Sequence, residues 1–303
     1  MKIGILGSGS MGSLIASYLI ENNEVIMIDA FKDIVDKINE SGLEIIHPDN
    51  SKVSFKTKAF LSGECNEKVD LLIAFVKSTT LDNAFKENQK MIDENTIVLS
   101  LQNGMGNDAV ISKYVNKKQI LLGTTKHNAH VLSMGVVKHS GAGITHIGSI
   151  DSNYELALKV SDELNRCGFE TTAEENVNHL LWEKLFVNIT INSLTSILGV
   201  TMDFLGYDSP IDNAVSNVLK EAIAVAKADG EEFDYDEIKK SLYELTEKYI
   251  GGKASMLQDT EKKRLTEIDV INGAVVTIGR KYNIPTPVNE TIVSLVHSKE
   301  RLY

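Results

Sequence analysis

The chain has only two cysteines in 303 residues, Cys65 and Cys167, and they fit no metal-binding spacing. Their scarcity excludes a disulfide scaffold and a thiolate metal centre, so two reduced structural thiols and no metal site are expected. Long apolar runs are absent too. No stretch approaches the ~20 residues of a membrane span, and Met1 to Leu6 leads into a glycine turn without a cleavage pattern. A cytoplasmic protein with no membrane partner is expected. Basic charge is in short supply: 31 Lys and Arg against 42 Asp and Glu leave a net charge of -11, which argues against a nucleic-acid partner. A small anionic substrate stays compatible, because one lysine in a dry cleft can dominate the local field. Repeats, low-complexity tracts and long linkers are also missing. What remains is a length sufficient for two ordinary domains with substantial cores.

The first of these opens on Lys2 to Leu6, a short buried strand, followed by Gly7-Ser8-Gly9-Ser10-Met11-Gly12 and a helical pattern. In strand, G-x-G-x-x-G, helix order, the first glycine permits the tight turn, the second lets a pyrophosphate approach the backbone, and the third lets helix and strand pack closely. A second strand, Glu24 to Asp29, ends in an acid where a ribose-binding carboxylate belongs. Gly7, Ser8, Gly9, Ser10, Met11, Gly12 and Asp29 are therefore cofactor-binding candidates, joined by Lys77 beyond the strand Val69 to Val76. Asp29 favours NAD(H), because a carboxylate repels a 2′-phosphate. NADP(H) stays open if Asp29 turns outward and Lys32 captures the phosphate.

Parallel alternation continues through Thr96 to Leu101, and Asn103 follows at the carboxyl end of that strand, where the nicotinamide end of a cofactor gathers. Ile120 to Thr125, Gly135 to His139 and Ile144 to Gly148 read as three further strands extending the sheet, with His139 and His146 as satisfied strand residues. The pattern ends near Ala173. We expect an α/β chain: a Rossmann-type domain over 1–173, then an all-α domain over 174–303, whose helices include Ile211 to Asp229, Asp236 to Ile250 and Glu267 to Tyr282.

The stretch Leu180 to Leu194 is apolar nearly all round apart from Lys184, Asn188 and Asn192 at i, i+4 and i+8. On an α-helix that spacing forms one stripe, and a buried polar stripe needs an internal network or a ligand. A structural seam between helices and a substrate site are both open at this point. With a nicotinamide cofactor bound for hydride transfer, Lys184 is the best candidate for the acid that protonates the reduced carbonyl. Asn188 and Asn192 would orient the substrate and Glu267 would hold the ammonium, unless Glu267 and Asp269 simply favour a helix start capped by Thr266.

As a set, these segments resemble the ketopantoate reductase family. The resemblance rests on the glycine motif, Asn103-Gly104-Met105-Gly106, Gly143 to Gly148, Leu181-Trp182-Glu183-Lys184-Leu185 with Asn188 and Asn192, Ser255 to Asp259, and Thr266 to Asp269. It implies a Rossmann domain and a helical domain with the active site between them. It also implies Lys184 and Glu267 as the catalytic pair, with Asn103, Asn188, Asn192 and Ser255 holding substrate or cofactor. The implied activity is hydride transfer from a nicotinamide cofactor to the C2 carbonyl of ketopantoate, giving D-pantoate in pantothenate biosynthesis. Two departures matter: Asp29 stands where NADPH-using members place a basic residue, and Gly252 stands where well-studied members have asparagine. Members of similar appearance are NAD-dependent D-2-hydroxyacid dehydrogenases acting on branched or aromatic 2-keto acids, the alternative reading. A non-catalytic NAD-binding sensor is a third, and the helical domain could form a homodimer.

Overall fold

The computed structural model describes residues 1–303, which divide into two compact units: Met1–Gln102 with Asn107–Val177, and Asn103–Gly106 with Asn178–Tyr303. The first unit runs β1 (Lys2–Leu6), α1 (Ser10–Leu19), β2 (Glu24–Asp29), α2 (Lys32–Ser41), β3 (Leu43–Ile46), β4 (Lys52–Phe55) and β5 (Lys58–Leu61). It continues through β6 (Leu71–Ala74), α3 (Leu81–Glu87), β7 (Ile97–Ser100), α4 (Asn107–Ile111), β8 (Ile120–Thr125), β9 (Asn128–Ser133) and β10 (Val136–Gly141). β11 (Thr145–Ser149), α5 (Tyr154–Arg166) and β12 (Thr171–Ala173) complete it.

Eight strands form the main sheet in the order β12-β11-β8-β7-β6-β1-β2-β5, parallel except where β11 meets β8. Alternation along each strand sends side chains to two faces. Ile3, Ile5, Ile73 and Leu99 pack with α1 and α5 through Ile15, Leu19, Val160 and Leu164. Leu6, Leu72, Ala74 and Val98 pack on the other face with Leu81 and Phe85 of α3 and Ile111 of α4. Both faces are covered by helices, so the strands read as near-continuous apolar runs.

Gly135 to His139 does not extend this sheet. β10 pairs instead with β9 and β3 in a second sheet ordered β4-β3-β10-β9. Its Ile45 and Val137 cover Leu14, Met11 and Tyr18, an apolar side of α1 left over by the main sheet. His139 is correspondingly less well satisfied than expected. Its Nε2 lies 2.9 Å from the Gly141 carbonyl and 3.1 Å from His127 Nδ1, but its Nδ1 is buried without a partner. His146 meets the expectation, with Nδ1 2.7 Å from Glu174 Oε1.

The second unit holds α6 (Val177–Val187, counted from Asn178), a π-turn over Asn188–Asn192, α7 (Ser193–Leu198), α8 (Asp212–Ala228), α9 (Tyr235–Lys248) and α10 (Ser255–Glu261). α11 (Asn272–Tyr282) and α12 (Pro287–Glu300) follow. Its core joins Trp182, Phe186 and Ile189 to Val218 and Ala222 of α8, Val275 of α11 and Val296 of α12. The helix expected from Glu267 is broken: Ile268–Val270 is a short 3-10 turn, and Ile271 at φ -102°, ψ -98° separates it from α11. The Val270 carbonyl accepts from the amide of Met105, 2.8 Å away, at the point where the helix breaks. No helix of the chain is long and apolar enough to cross a membrane.

Candidate active site

The glycine motif forms the turn from β1 into α1. Gly7 has φ +98°, a left-handed conformation that costs glycine nothing, and its amide donates to the Ile28 carbonyl at 2.8 Å. A Cβ on Gly12 would lie 1.9 Å from the Gly7 carbonyl oxygen, so the third glycine is what lets helix and turn meet. Gly9 differs: nothing lies within 4 Å of a Cβ there, and no side chain caps the helix that Ser10 and Met11 begin. Open space over Gly9, a helix start without a side-chain cap and the buried, unpartnered hydroxyl of Ser8 together fit an anionic pyrophosphate. Asp29 is 8% exposed and turned inward, its Oδ2 accepting from the Ser8 amide at 2.8 Å and its Oδ1 from the Phe31 amide at 3.1 Å. Each oxygen keeps lone-pair capacity for a ribose hydroxyl. Lys32 pairs with Asp36 at the surface, at 2.6 Å. Lys77 is half-buried beyond β6, opening a 3-10 turn whose Thr80 amide bonds its carbonyl at 2.9 Å.

In the second unit Lys184 lies in the last turn of α6. It keeps part of its accessible surface, yet the protein packed around its ammonium pushes the pKa down to about 8, against the opposing pull of the nearby Glu267 carboxylate. Asn188 and Asn192 are both buried. Asn192 Nδ2 donates to Asn188 Oδ1 at 3.1 Å, and Ser255 Oγ reaches Asn192 Oδ1 at 3.5 Å, so the three form a polar row. The row ends on Asn188 Nδ2, a buried donor with no partner. Such a donor costs free energy unless a ligand accepts from it.

The α-helical spacing expected for this stretch is corrected by the π-turn, which widens the helix where the two asparagines sit. Local chemistry explains the bulge. Thr190, Ser193 and Thr195 hydroxyls bond the carbonyls four residues back at 2.8, 2.5 and 2.6 Å, and Asn272 Nδ2 inserts from α11 onto the Ile189 carbonyl at 3.0 Å. Asn272 is a support that sequence reasoning missed. The Thr190, Ser193, Thr195 series was the available signal, and its partner lies on a distant helix.

Asn103 belongs to the same unit, carried on a segment tied down by the Met105 to Val270 bond. A Cβ on Gly104, at φ +82°, would stand 2.2 Å from the Val270 carbonyl oxygen, so glycine is needed for that approach. The segment bearing Glu267 thus also anchors the one bearing Asn103. An apolar groove of about 440 Å³ in this unit, lined by Leu194, Ile197, Leu198, Ile211, Pro287 and Leu295 among others, has no charged group among its lining residues. Lys184, Glu267 and the residues of the polar row are not among that lining.

A dinucleotide cradle on a doubly wound sheet, followed by a helical unit carrying a lysine beside a carboxylate, defines an α/β oxidoreductase of the nicotinamide-binding class. Residues 3–152 match the family described as Ketopantoate reductase PanE/ApbA, and residues 176–300 match Ketopantoate reductase PanE/ApbA C terminal. The chain belongs to the ketopantoate reductase family. It is 36% identical over 309 residues to the 2-dehydropantoate 2-reductase of Lactococcus lactis subsp. lactis (strain IL1403), covering 100% of this chain and 99% of that one. Among solved structures, a ternary D-mandelate dehydrogenase with NADH and anilino(oxo)acetate superposes with a TM-score of 0.93 at 34% identity, covering 100% and 99% of the two chains. A putative 2-dehydropantoate 2-reductase from Enterococcus faecalis gives 0.82 at 37%, with the same coverage.

Proposed function

We propose that the protein is an NADH-dependent reductase of 2-keto acids, converting the C2 carbonyl of a substrate branched next to it into the D alcohol, with ketopantoate as the first candidate. The observation that carries this reading is Lys184, its ammonium pKa lowered to about 8 beside Glu267, in the unit that holds the Asn188, Asn192 and Ser255 row. A bound nicotinamide supplies the hydride. Lys184 polarises the carbonyl oxygen and gives it the balancing proton, and Glu267 keeps the ammonium in place. The orphan Nδ2 of Asn188 donates to a substrate oxygen, and Asn192 and Ser255 fix the orientation of that amide. Asn103 holds substrate or the nicotinamide end. The adenosine end is held by the glycine turn, Ser8, the start of α1, Asp29 and Lys77.

NADH is favoured over NADPH because Asp29 faces inward as a carboxylate and would meet a 2′-phosphate with like charge. The D-mandelate dehydrogenase relative, which holds NADH, supports the same choice. NADH should outperform NADPH in kcat/KM, and Asp29→Asn, which keeps the shape and removes the charge, should narrow the gap; preference for NADPH in the unmodified protein would overturn this.

The second reading, a D-2-hydroxyacid dehydrogenase for branched or aromatic 2-keto acids, is favoured by Gly252. A Cβ there would lie 2.8 Å from the Tyr249 carbonyl oxygen, so this backbone has no room for the asparagine of well-studied ketopantoate reductases. A site that hydrogen-bonds the 4-hydroxyl of ketopantoate rejects analogues lacking it strongly, whereas an apolar pocket discriminates only about 10- to 200-fold among alkyl groups. Comparing kcat/KM for ketopantoate, 2-ketoisovalerate, 2-ketoisocaproate and phenylglyoxylate, each with NADH and NADPH, decides. Ketopantoate should lead. If 2-ketoisovalerate equals it, the dehydrogenase reading replaces the first, and tight NADH binding without turnover of any of them leaves a sensor.

A further inference from the structure

The turn that carries Glu267 is held from outside by the last helix of the chain. Glu300 of α12 accepts through Oε1 from both the amide and the hydroxyl of Thr266, each at 2.7 Å. Its Oε2 lies 2.9 Å from His297 Nδ1, and the other ring nitrogen of His297 lies 2.9 Å from Asp269 Oδ1. Thr266 and Asp269 bracket Glu267, so one helical turn of α12 grips both sides of it. Burial works to raise the Glu300 pKa, but the Thr266 amide and hydroxyl and His297 outweigh it and leave the carboxylate below its ordinary value. The Glu300 hydrogen bond, helped by Asp269, raises His297, so each partner favours the charged form of the other.

Docking of α12 does not require this arrangement, since Ile292 and Val296 already bury the helix in the core of the unit. A half-exposed ion pair is in any case weak evidence for stability, because solvent screens its attraction and ordering its side chains costs entropy. What it adds is direction, by hydrogen bonds aimed at one backbone turn. That turn also holds the Asn103 segment through the Val270 carbonyl.

We propose that Glu300, with His297, is a positioning residue that fixes the turn bearing Glu267 and thereby the position and charge environment of the Lys184 ammonium. The inference rests on the roles given to Lys184 and Glu267, so its decisive test is made without turnover. Lysine is labelled with ¹³C, the Lys184 signal is assigned with Lys184→Arg, and its side chain is titrated by NMR in the wild type, Glu267→Gln, Glu300→Ala and the double variant. The wild-type midpoint should lie near 8. Glu267→Gln should lower it, Glu300→Ala should lower it in the same direction, and the double variant should fall no further than Glu267→Gln alone. In parallel, kcat with the best 2-keto acid should drop by about 10- to 100-fold in Glu300→Ala, the scale of a small misplacement, with NADH affinity unchanged. A wild-type Lys184 midpoint in folded Glu300→Ala, or a further fall in the double variant, overturns the inference. Should Glu300→Ala fail to fold, Glu300→Gln and His297→Gln carry the titration, and an unshifted midpoint in both overturns it. Because the titration requires no reaction, a protein inactive on every 2-keto acid would refute the proposed function and still decide this point.

Discussion

Lys184 carries opposite requirements in one side chain. Its folded pKa, lowered from 10.5 to about 8, means that between those values the unfolded chain binds a proton the folded protein does not. This group's contribution to stability therefore rises with pH across that window and is least favourable below pH 8. Lys184→Met should accordingly be more stable than the wild type at pH 7, on the order of 1–3 kcal/mol, with the gain fading by pH 10.5; denaturant melts at several pH values check this. Activity should move the other way. Lys184→Ala should lower kcat and kcat/KM together by roughly 10² to 10⁴ with little change in NADH affinity, and wild-type reduction should decline as pH rises through about 8. Near-normal single-turnover hydride transfer in folded Lys184→Ala would make the lysine a structural seam.

The element that carries the proposed substrate residues is the π-turn Asn188–Asn192, held open by Asn272, which also donates to Asn289 at 3.0 Å. Asn272→Leu removes one donor from the Ile189 carbonyl, which Ser193 Oγ also bonds, and takes a partner from a fully buried Asn289. It should cost about 1–3 kcal/mol of stability in urea melts and raise KM for the 2-keto acid while NADH affinity stays constant. This turn also marks how far sequence reading reached. The glycine motif, Asp29 and the parallel strands flanking β1 were legible because strand, turn and helix signals are local and lie side by side. Lys184 with its asparagines was legible as a composition, polar groups in an apolar run, but not as a geometry, because the widening needs a donor from a helix some 80 residues away. Strands β3, β4, β5 and β9 escaped for another reason: β3, β4 and β5 are four residues each, β4, β5 and β9 lie at sheet edges, and β4 and β9 have mostly exposed side chains, so they carry little periodic signal. Glu267 looks in the sequence like the start of a long helix, and Thr266 Oγ1 does accept from the Ile268 amide at 3.3 Å while donating to Glu300, but only a 3-10 turn follows it.

At the scale of the whole molecule, the first unit carries an acid sensitivity in its buried histidine pair. His127 stacks on Phe169 at 4.5 Å, and burial, with His139 beside it, pushes its pKa down to about 4 from 6.5. Its stabilising contribution is therefore present above pH 6.5 and lost as pH falls toward 4, where the unfolded chain takes up protons first. Acid unfolding of the wild type should begin in that window, and His127→Phe should move its midpoint lower when followed by circular dichroism. The second unit has a different vulnerability, set by order of manufacture. Its piece Asn103–Gly106 is made early, while the Val270 carbonyl that anchors it and the Glu300 that steadies that anchor come near the end of the chain. At ~5–20 residues per second of synthesis, the Met105 amide waits on the order of ten seconds for its partner. A ribosome that stalls before Val270 thus holds a nascent chain whose loop after β7 has no anchor, however complete the sheet behind it.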